Sequence, residues 1–330
     1  MATGIVSIAA YRLDLVPVAW TLLAINLVAY AVLWLLTVVR LIRHFPRVLA
    51  DLGDHTRGAG FFTAVAGSCV LARQIALLTG AVRVPLVLGL VGAGLWLVLM
   101  YAFLLAVMVR SPKPPLQAGL NGGWLVIVVA TQSIAVLGAT LAGAVAGWRE
   151  PVLFLALVMY LLGCMLYVVL ISLIFYRLTF FALAPEALTP PYWINMGALA
   201  ITTLAGATLI AEAAAWPFLR TLVPFLTGLT LLFWATGTWW IPLLVALGLW
   251  RHVARRLPVV YEPAYWSLVF PVGMYTASTW ELERALGTGM LAWIPRYVVY
   301  IALVAWTVTF IGLLRRLARG VALRTLAGAS

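Results

Sequence analysis
The sequence predicts an all-α integral membrane protein of about ten transmembrane helices. They form five parallel helical hairpins around a quasi-fivefold central pore, all within one domain spanning residues 1–330. Three observations carry that reading. Of the 330 residues, 65% are hydrophobic and only 9% are charged, which is more apolar surface than a soluble exterior tolerates. Apolar runs long enough to cross a bilayer recur along the whole chain. Five short connections also recur, each with a proline at the entry to the following helix: Pro17, Pro85, Pro151, Pro217 and Pro295, at spacings of 68, 66, 66 and 78 residues. Proline suits a first helical turn because the N–H it lacks would be unpaired there.

The elements follow in chain order. The first hairpin covers residues 1–41, with spans at 1–10 and 17–41. Its first span crosses only half a bilayer at about 1.5 Å per residue, so it reads as truncated. No basic region precedes it, so it does not read as a signal peptide. The second hairpin, 61–109, opens on a run of small and hydroxyl residues from Gly60 to Ser68 and returns through the bulky Leu95–Tyr101 stretch. The third, 123–176, carries Ala130-Thr131-Gln132-Ser133 on its first span. The first span of the fourth, 193–250, is again slim, with Gly197, Thr202, Thr203 and Gly206. The fifth, 265–314, carries Pro271, Gly273, Thr276, Ala277 and Thr279, and residues 315–330 form a tail.

Small residues let helices approach closely, whereas bulky ones suit lipid. The first helix of each hairpin therefore belongs inside and the second outside. All five hairpins run the same way, as repeats about an axis along the membrane normal do.

Charge sets the orientation. With both termini on one side, that side holds 14 of the 21 basic residues, so the positive-inside rule places both termini in the cytoplasm of a multi-pass cell-membrane protein. The net charge of +12 is mostly this bias, and with no soluble module to use it, nucleic acid is excluded as a partner. Trp20, Trp124, Trp148, Trp193, Trp216, Trp250, Trp266 and Trp293 lie near span ends, as an interfacial aromatic belt requires. Cys69 and Cys164 fall inside separate spans, which is no disulfide framework.

Several segments resemble the tellurite-resistance/dicarboxylate transporter family, which includes TehA-like bacterial channels, fungal malate permeases and plant slow anion channels. They are Met1-Ala2-Thr3-Gly4-Ile5-Val6-Ser7, Ala130-Thr131-Gln132-Ser133-Ile134, Tyr192-Trp193-Ile194-Asn195-Met196-Gly197-Ala198 and Tyr265 through Tyr275. They run in the family's order over essentially the whole chain. The resemblance implies ten helices around one pore per subunit, a homotrimer, and a phenylalanine on the ninth span that plugs the conduit. The matching position is Phe270, directly before Pro271.

A proline within a span kinks the helix and frees a carbonyl, which needs a polar or protein-lined setting. A ring beside it can gate a constriction by steric block or dewetting. Ser68, Thr131, Ser133, Gly197, Thr202, Gly273 and Ala277 are the expected pore-lining residues. Arg73, about 20 Å along its span, either snorkels to the outer surface or forms an anion-attracting mouth.

The nine acids and three histidines fall at span ends or in loops, whereas proton-coupled carriers generally need a titratable group at membrane depth. An intramembrane enzyme would need a nucleophile–base pair or a metal cluster there, so no catalysis, cofactor or metal is expected. The sequence therefore points to passive or voltage-driven passage of small inorganic or organic anions. A proton-coupled carrier of C4-dicarboxylate or tellurite oxyanion is the alternative.

Overall fold
The computed structural model describes residues 1–145 and 147–327, with side chains through Arg319. Its α-helices are α1 (Ala2–Arg12), α2 (Val16–Arg43), α3 (Phe45–Leu52), α4 (Thr63–Thr79), α5 (Arg83–Val109), α6 (Leu116–Gly119), α7 (Val126–Leu141), α8 (Arg149–Phe180), α9 (Ile194–Ala211), α10 (Pro217–Thr221), α11 (Val223–Leu249), α12 (Trp266–Leu286) and α13 (Trp293–Ala327). A helix stands at each of the ten predicted spans. Eight are long and apolar enough to cross a bilayer. The exceptions are α1, with 11 residues, and α12, whose last turns carry Glu281, Glu283 and Arg284. The short helices α3, α6 and α10 were not foreseen, and α13 runs on to Ala327, into what the sequence left as a tail.

Five helices close a ring: α1 packs on α4, α4 on α7, α7 on α9, α9 on α12, and α12 back on α1. Each also packs on the second helix of its own hairpin, α2, α5, α8, α11 or α13. The two layers differ as the side chains demand. In the apolar stretches containing α4, α7 and α9, 72%, 83% and 83% of residues are buried. For the outer α2, α5, α8, α11 and α13 the shares are only 17%, 22%, 44%, 22% and 22%. Leu33, Leu90, Leu105 and Val308 stand more than half exposed on that layer, a surface that suits acyl chains and not water.

The tight turns gather at one end of the ring, here the turn end, and the longer connections at the other, the link end. Two of the turns begin at a glycine in the left-handed region, Gly80 (φ +69°) after α4 and Gly287 (φ +64°) after α12, where a β-carbon would be strained.

A second bond network ties each outer helix to the inner helix of the next hairpin. The hydroxyls of Tyr30 on α2 and Ser68 on α4 are bonded at 2.8 Å. Trp96 Nε1 on α5 donates to Thr131 Oγ1 on α7 at 2.9 Å. Tyr167 on α8 donates to the carbonyl of Asn195 on α9 at 3.3 Å. Trp234 Nε1 on α11 donates to Thr279 Oγ1 on α12 at 3.0 Å. The circle closes where Trp306 Nε1 on α13 donates to Thr3 Oγ1 on α1 at 3.0 Å. Five clasps, each from an outer helix to the next inner one, are the repeat the sequence shows only as spacing. Polar contacts between membrane helices are worth on the order of 1 kcal/mol each. Trp96→Phe, which keeps most of the ring but removes the donor, is therefore expected to lower thermal stability by about 1 kcal/mol, read as a small drop in the melting temperature of the detergent-purified protein.

At the link end, Asp51 bonds both Arg57 and Arg40, and Asp54 Oδ1 accepts from the Thr56 hydroxyl and from the Thr56 and Arg57 N–H groups. The Arg57 bond holds the Asp51 carboxyl below its ordinary value, and the Thr56 hydroxyl does the same for Asp54. Burial, then nearby Arg110, pushes His55 below its ordinary 6.5. The stability held by the two aspartates is present above the carboxylate's ordinary 3.8 and is lost as pH falls through their lowered folded values. His55 acts earlier. As pH falls through 6.5 the unfolded segment takes up a proton that the folded one resists, so folding of this turn is penalised increasingly below that pH. Protection factors of the amides across residues 54–58, which allow for the intrinsic slowing of exchange at lower pH, are expected to fall between pH 7.5 and 5.5, and His55→Gln to flatten that dependence. An unchanged pH profile in the variant would show that His55 is not the cause.

Candidate functional site
On α12 the contacts with α11, α9 and α1 fix three directions round the helix. Tyr275 bonds Thr238 of α11, and Thr279 bonds Trp234 of the same helix. Pro271 lies against Gly197 of α9, where an added β-carbon would sit 2.7 Å from Pro271 Cγ. Gly273 lies against α1, where one would sit 2.9 Å from Val6 Cγ2. At about 100° per residue, Phe270 points about 140° away from Tyr275 and about 180° away from Thr279. It therefore faces the ring interior, on one stripe with Met274, Ala277 and Glu281.

Phe270 is fully shielded, at 0% exposure, so no lumen wide enough for water reaches its ring. The reason lies in its neighbours. Gly197 and Gly273 let α9 and α1 close on α12 from two sides, and one aromatic ring fills the space that remains. Pro271 has no N–H to give the Ser267 carbonyl four residues back, yet α12 stays helical through it. Gly197→Ala would force its β-carbon onto a rigid pyrrolidine ring, a change expected to cost about 1–3 kcal/mol.

The predicted hydroxyls divide. Ser68 and Thr131 are bonded by Tyr30 and Trp96, so both face the outer layer and not the axis. Residue type alone misled here, because the outer aromatics Tyr30 and Trp96 need partners and these inner hydroxyls provide them. Ser133 lies about 200° round α7 from Thr131, on the opposite face. Its hydroxyl donates to the Val129 carbonyl at 2.7 Å, and that of Thr202 donates to Ala198 at 2.7 Å. Both protons are thus spent on their own helices. On the stripe of α12 that carries Phe270, Met274 and Ala277 are apolar and buried. Asn195, fully buried at the start of α9, has neither side-chain amide atom bonded.

The turn end is different. Arg73 does not snorkel: it is 5% exposed, and its Nη2 donates to Glu281 Oε1 at 3.1 Å. Arg12 Nη2 donates to the same oxygen at 2.7 Å, with its guanidinium 4.6 Å from the centre of the Trp280 ring. Sequence reasoning missed Arg12 and Glu281, which it left in a turn and at a span end. Glu281 does sit near the end of α12, but buried, and its spacing of 11 residues from Phe270 puts both on one face. That spacing was the available signal.

The comparisons with known proteins agree with this architecture. An uncharacterised membrane protein of Mycobacterium tuberculosis is 43% identical over 153 residues, covering 46% of this chain and 77% of the relative. Two uncharacterised transporters of Methanocaldococcus jannaschii match nearly end to end. One is 23% identical over 329 residues, covering 97% of this chain and 93% of its own. The other is 25% identical over 324 residues, covering 94% and 89%. The pattern of the voltage-dependent anion channel family spans residues 1–314, and with its ring of five hairpins the chain belongs to that family.

Proposed function
We propose that the axis of the inner ring conducts small anions down their electrochemical gradient and that Phe270 is its gate, closed in this structure. The observation that carries the proposal is a fully buried phenylalanine on the inner face of α12, at the level where Gly197 and Gly273 narrow the ring. An apolar constriction excludes ions because stripping their hydration costs more than the lining returns. Moving one ring aside admits water and removes that cost.

The arginine excess on the link side supports anion over cation passage by raising the local anion concentration. Placing that side in the cytoplasm of a cell membrane follows from the positive-inside rule. Chloride and nitrate fit a conduit whose selectivity follows hydration cost and width. The test is anion flux into liposomes with sodium chloride, nitrate or malate, comparing the wild-type protein with Phe270→Ala. Equal flux in both would remove the gate.

One observation favours the coupled carrier as a second reading: Glu281 is a buried carboxyl on the same stripe as the gate. Flux that disappears when the pH gradient is collapsed would select it.

A further inference from the structure
The inner stripe of α12 ends on Glu281, about 16 Å beyond Phe270 along the helix. Its Oε1 is shared by two guanidiniums, Arg12 at 2.7 Å and Arg73 at 3.1 Å. Two cations on one carboxylate leave a unit of positive charge among these three groups, and Arg73, only 5% exposed, is poorly screened by water. Arg73 also keeps a donor in reserve: its Nη1 is buried with no partner, as is Arg12 Nε. A guanidinium buried with unspent N–H groups is costly unless something accepts from them. The next acid, Glu283, is committed elsewhere, accepting from the Thr288 hydroxyl and the backbone N–H groups of Gly289 and Leu291. Arg284 stands farther off, 3.9 Å from Glu281 Oε2 and largely exposed.

We propose that Arg12 and Arg73 form an anion-binding site at the turn end of the axis, held in this structure by the Glu281 carboxylate as a tethered competitor that an incoming anion displaces. The ligand class is a small monovalent anion, the size of chloride or nitrate, able to accept several N–H bonds at once. Since Glu281 and Phe270 share a face of one helix, releasing the carboxylate frees the end of the segment that carries the gate. The inference rests on the axis being the conduit, but the site can be measured without flux.

The decisive measurement is thermal unfolding of the detergent-purified protein, titrated with sodium chloride against sodium gluconate at constant ionic strength. A ligand bound only by the folded state raises stability with its concentration. The wild-type protein is expected to show little chloride-specific gain, because its own carboxylate competes. Glu281→Gln, nearly isosteric and uncharged, is expected to start lower in gluconate and to bind chloride about tenfold more tightly. Adding Arg73→Gln should abolish that gain.

A Glu281→Gln protein that responds to chloride no more than wild type overturns the proposal. If that variant is not recovered, Glu281→Asp, whose carboxylate is withdrawn by one methylene, should show the same gain in smaller measure, and no gain there also overturns it. In liposomes carrying Phe270→Ala, Glu281→Gln should lower the half-saturating chloride concentration by about the same factor. Conduction by Phe270→Ala with no such effect from Glu281→Gln would sink the site and spare the conduit. A chloride-specific thermal gain without any flux would do the reverse.

Discussion

Phe270→Ala is expected to raise chloride flux through reconstituted protein by at least about tenfold, the effect of lowering a barrier by only about 1.4 kcal/mol. The ring is fully buried, and the two close helix contacts beside it, at Gly197 and Gly273, fix how far the backbone can collapse into the space it leaves. The helices are already at their closest approach there, so the cavity persists and can fill with water. The rise should be graded, with Leu the smallest step, then Val, then Ala, since what matters is the width left open. Deleting a buried phenylalanine side chain also costs stability, about 3–5 kcal/mol in a rigid core. A melting curve for each variant separates a widened pore from a loosened bundle. Flux that tracks lost stability and not side-chain size would mean leakage through a damaged fold, and the gate would be wrong.

Much of this architecture is written in residue choice. Slim inner and bulky outer spans follow from side-chain volume alone, and the proline at each tight turn marks the repeat. The circle of clasps is not legible, because Trp96 and Thr131 lie 35 residues apart and Trp306 and Thr3 lie 303 apart. Nothing local says which aromatic reaches which hydroxyl. For the same reason Ser68 and Thr131 read as pore-lining when their protons and lone pairs serve the outer layer. Phe270 is singled out in the sequence by the family resemblance and by Pro271 beside it, whereas the contact of Pro271 with Gly197 on α9 is not legible there. Arg73 is legible as an anomaly but not as half of a pair. Its partner is 208 residues away, at a helix end where an acid normally meets water.

The pair itself makes the second large prediction. Arg73→Met should destabilise the protein by about 1–3 kcal/mol, because Glu281 loses one charged hydrogen bond while keeping Arg12 at 2.7 Å. Arg73→Met combined with Glu281→Met should recover most of that loss, since two well-packed apolar side chains of similar volume often match or exceed a buried ion pair. Arg12 tolerates the double change better than Arg73 tolerates the single one. Its side chain is 21% exposed, and its guanidinium keeps the Trp280 face. Melting temperatures of the four proteins in the cycle give the coupling directly.

Anion flux in the Phe270→Ala background should not follow that recovery, because the double methionine variant keeps the site's net charge but has lost one of the two guanidiniums whose N–H groups would hold the anion. If the pair served only to hold α4 to α12, flux would return together with stability. Stability restored while flux stays low would assign the arginine to the ion and the carboxylate to its regulation.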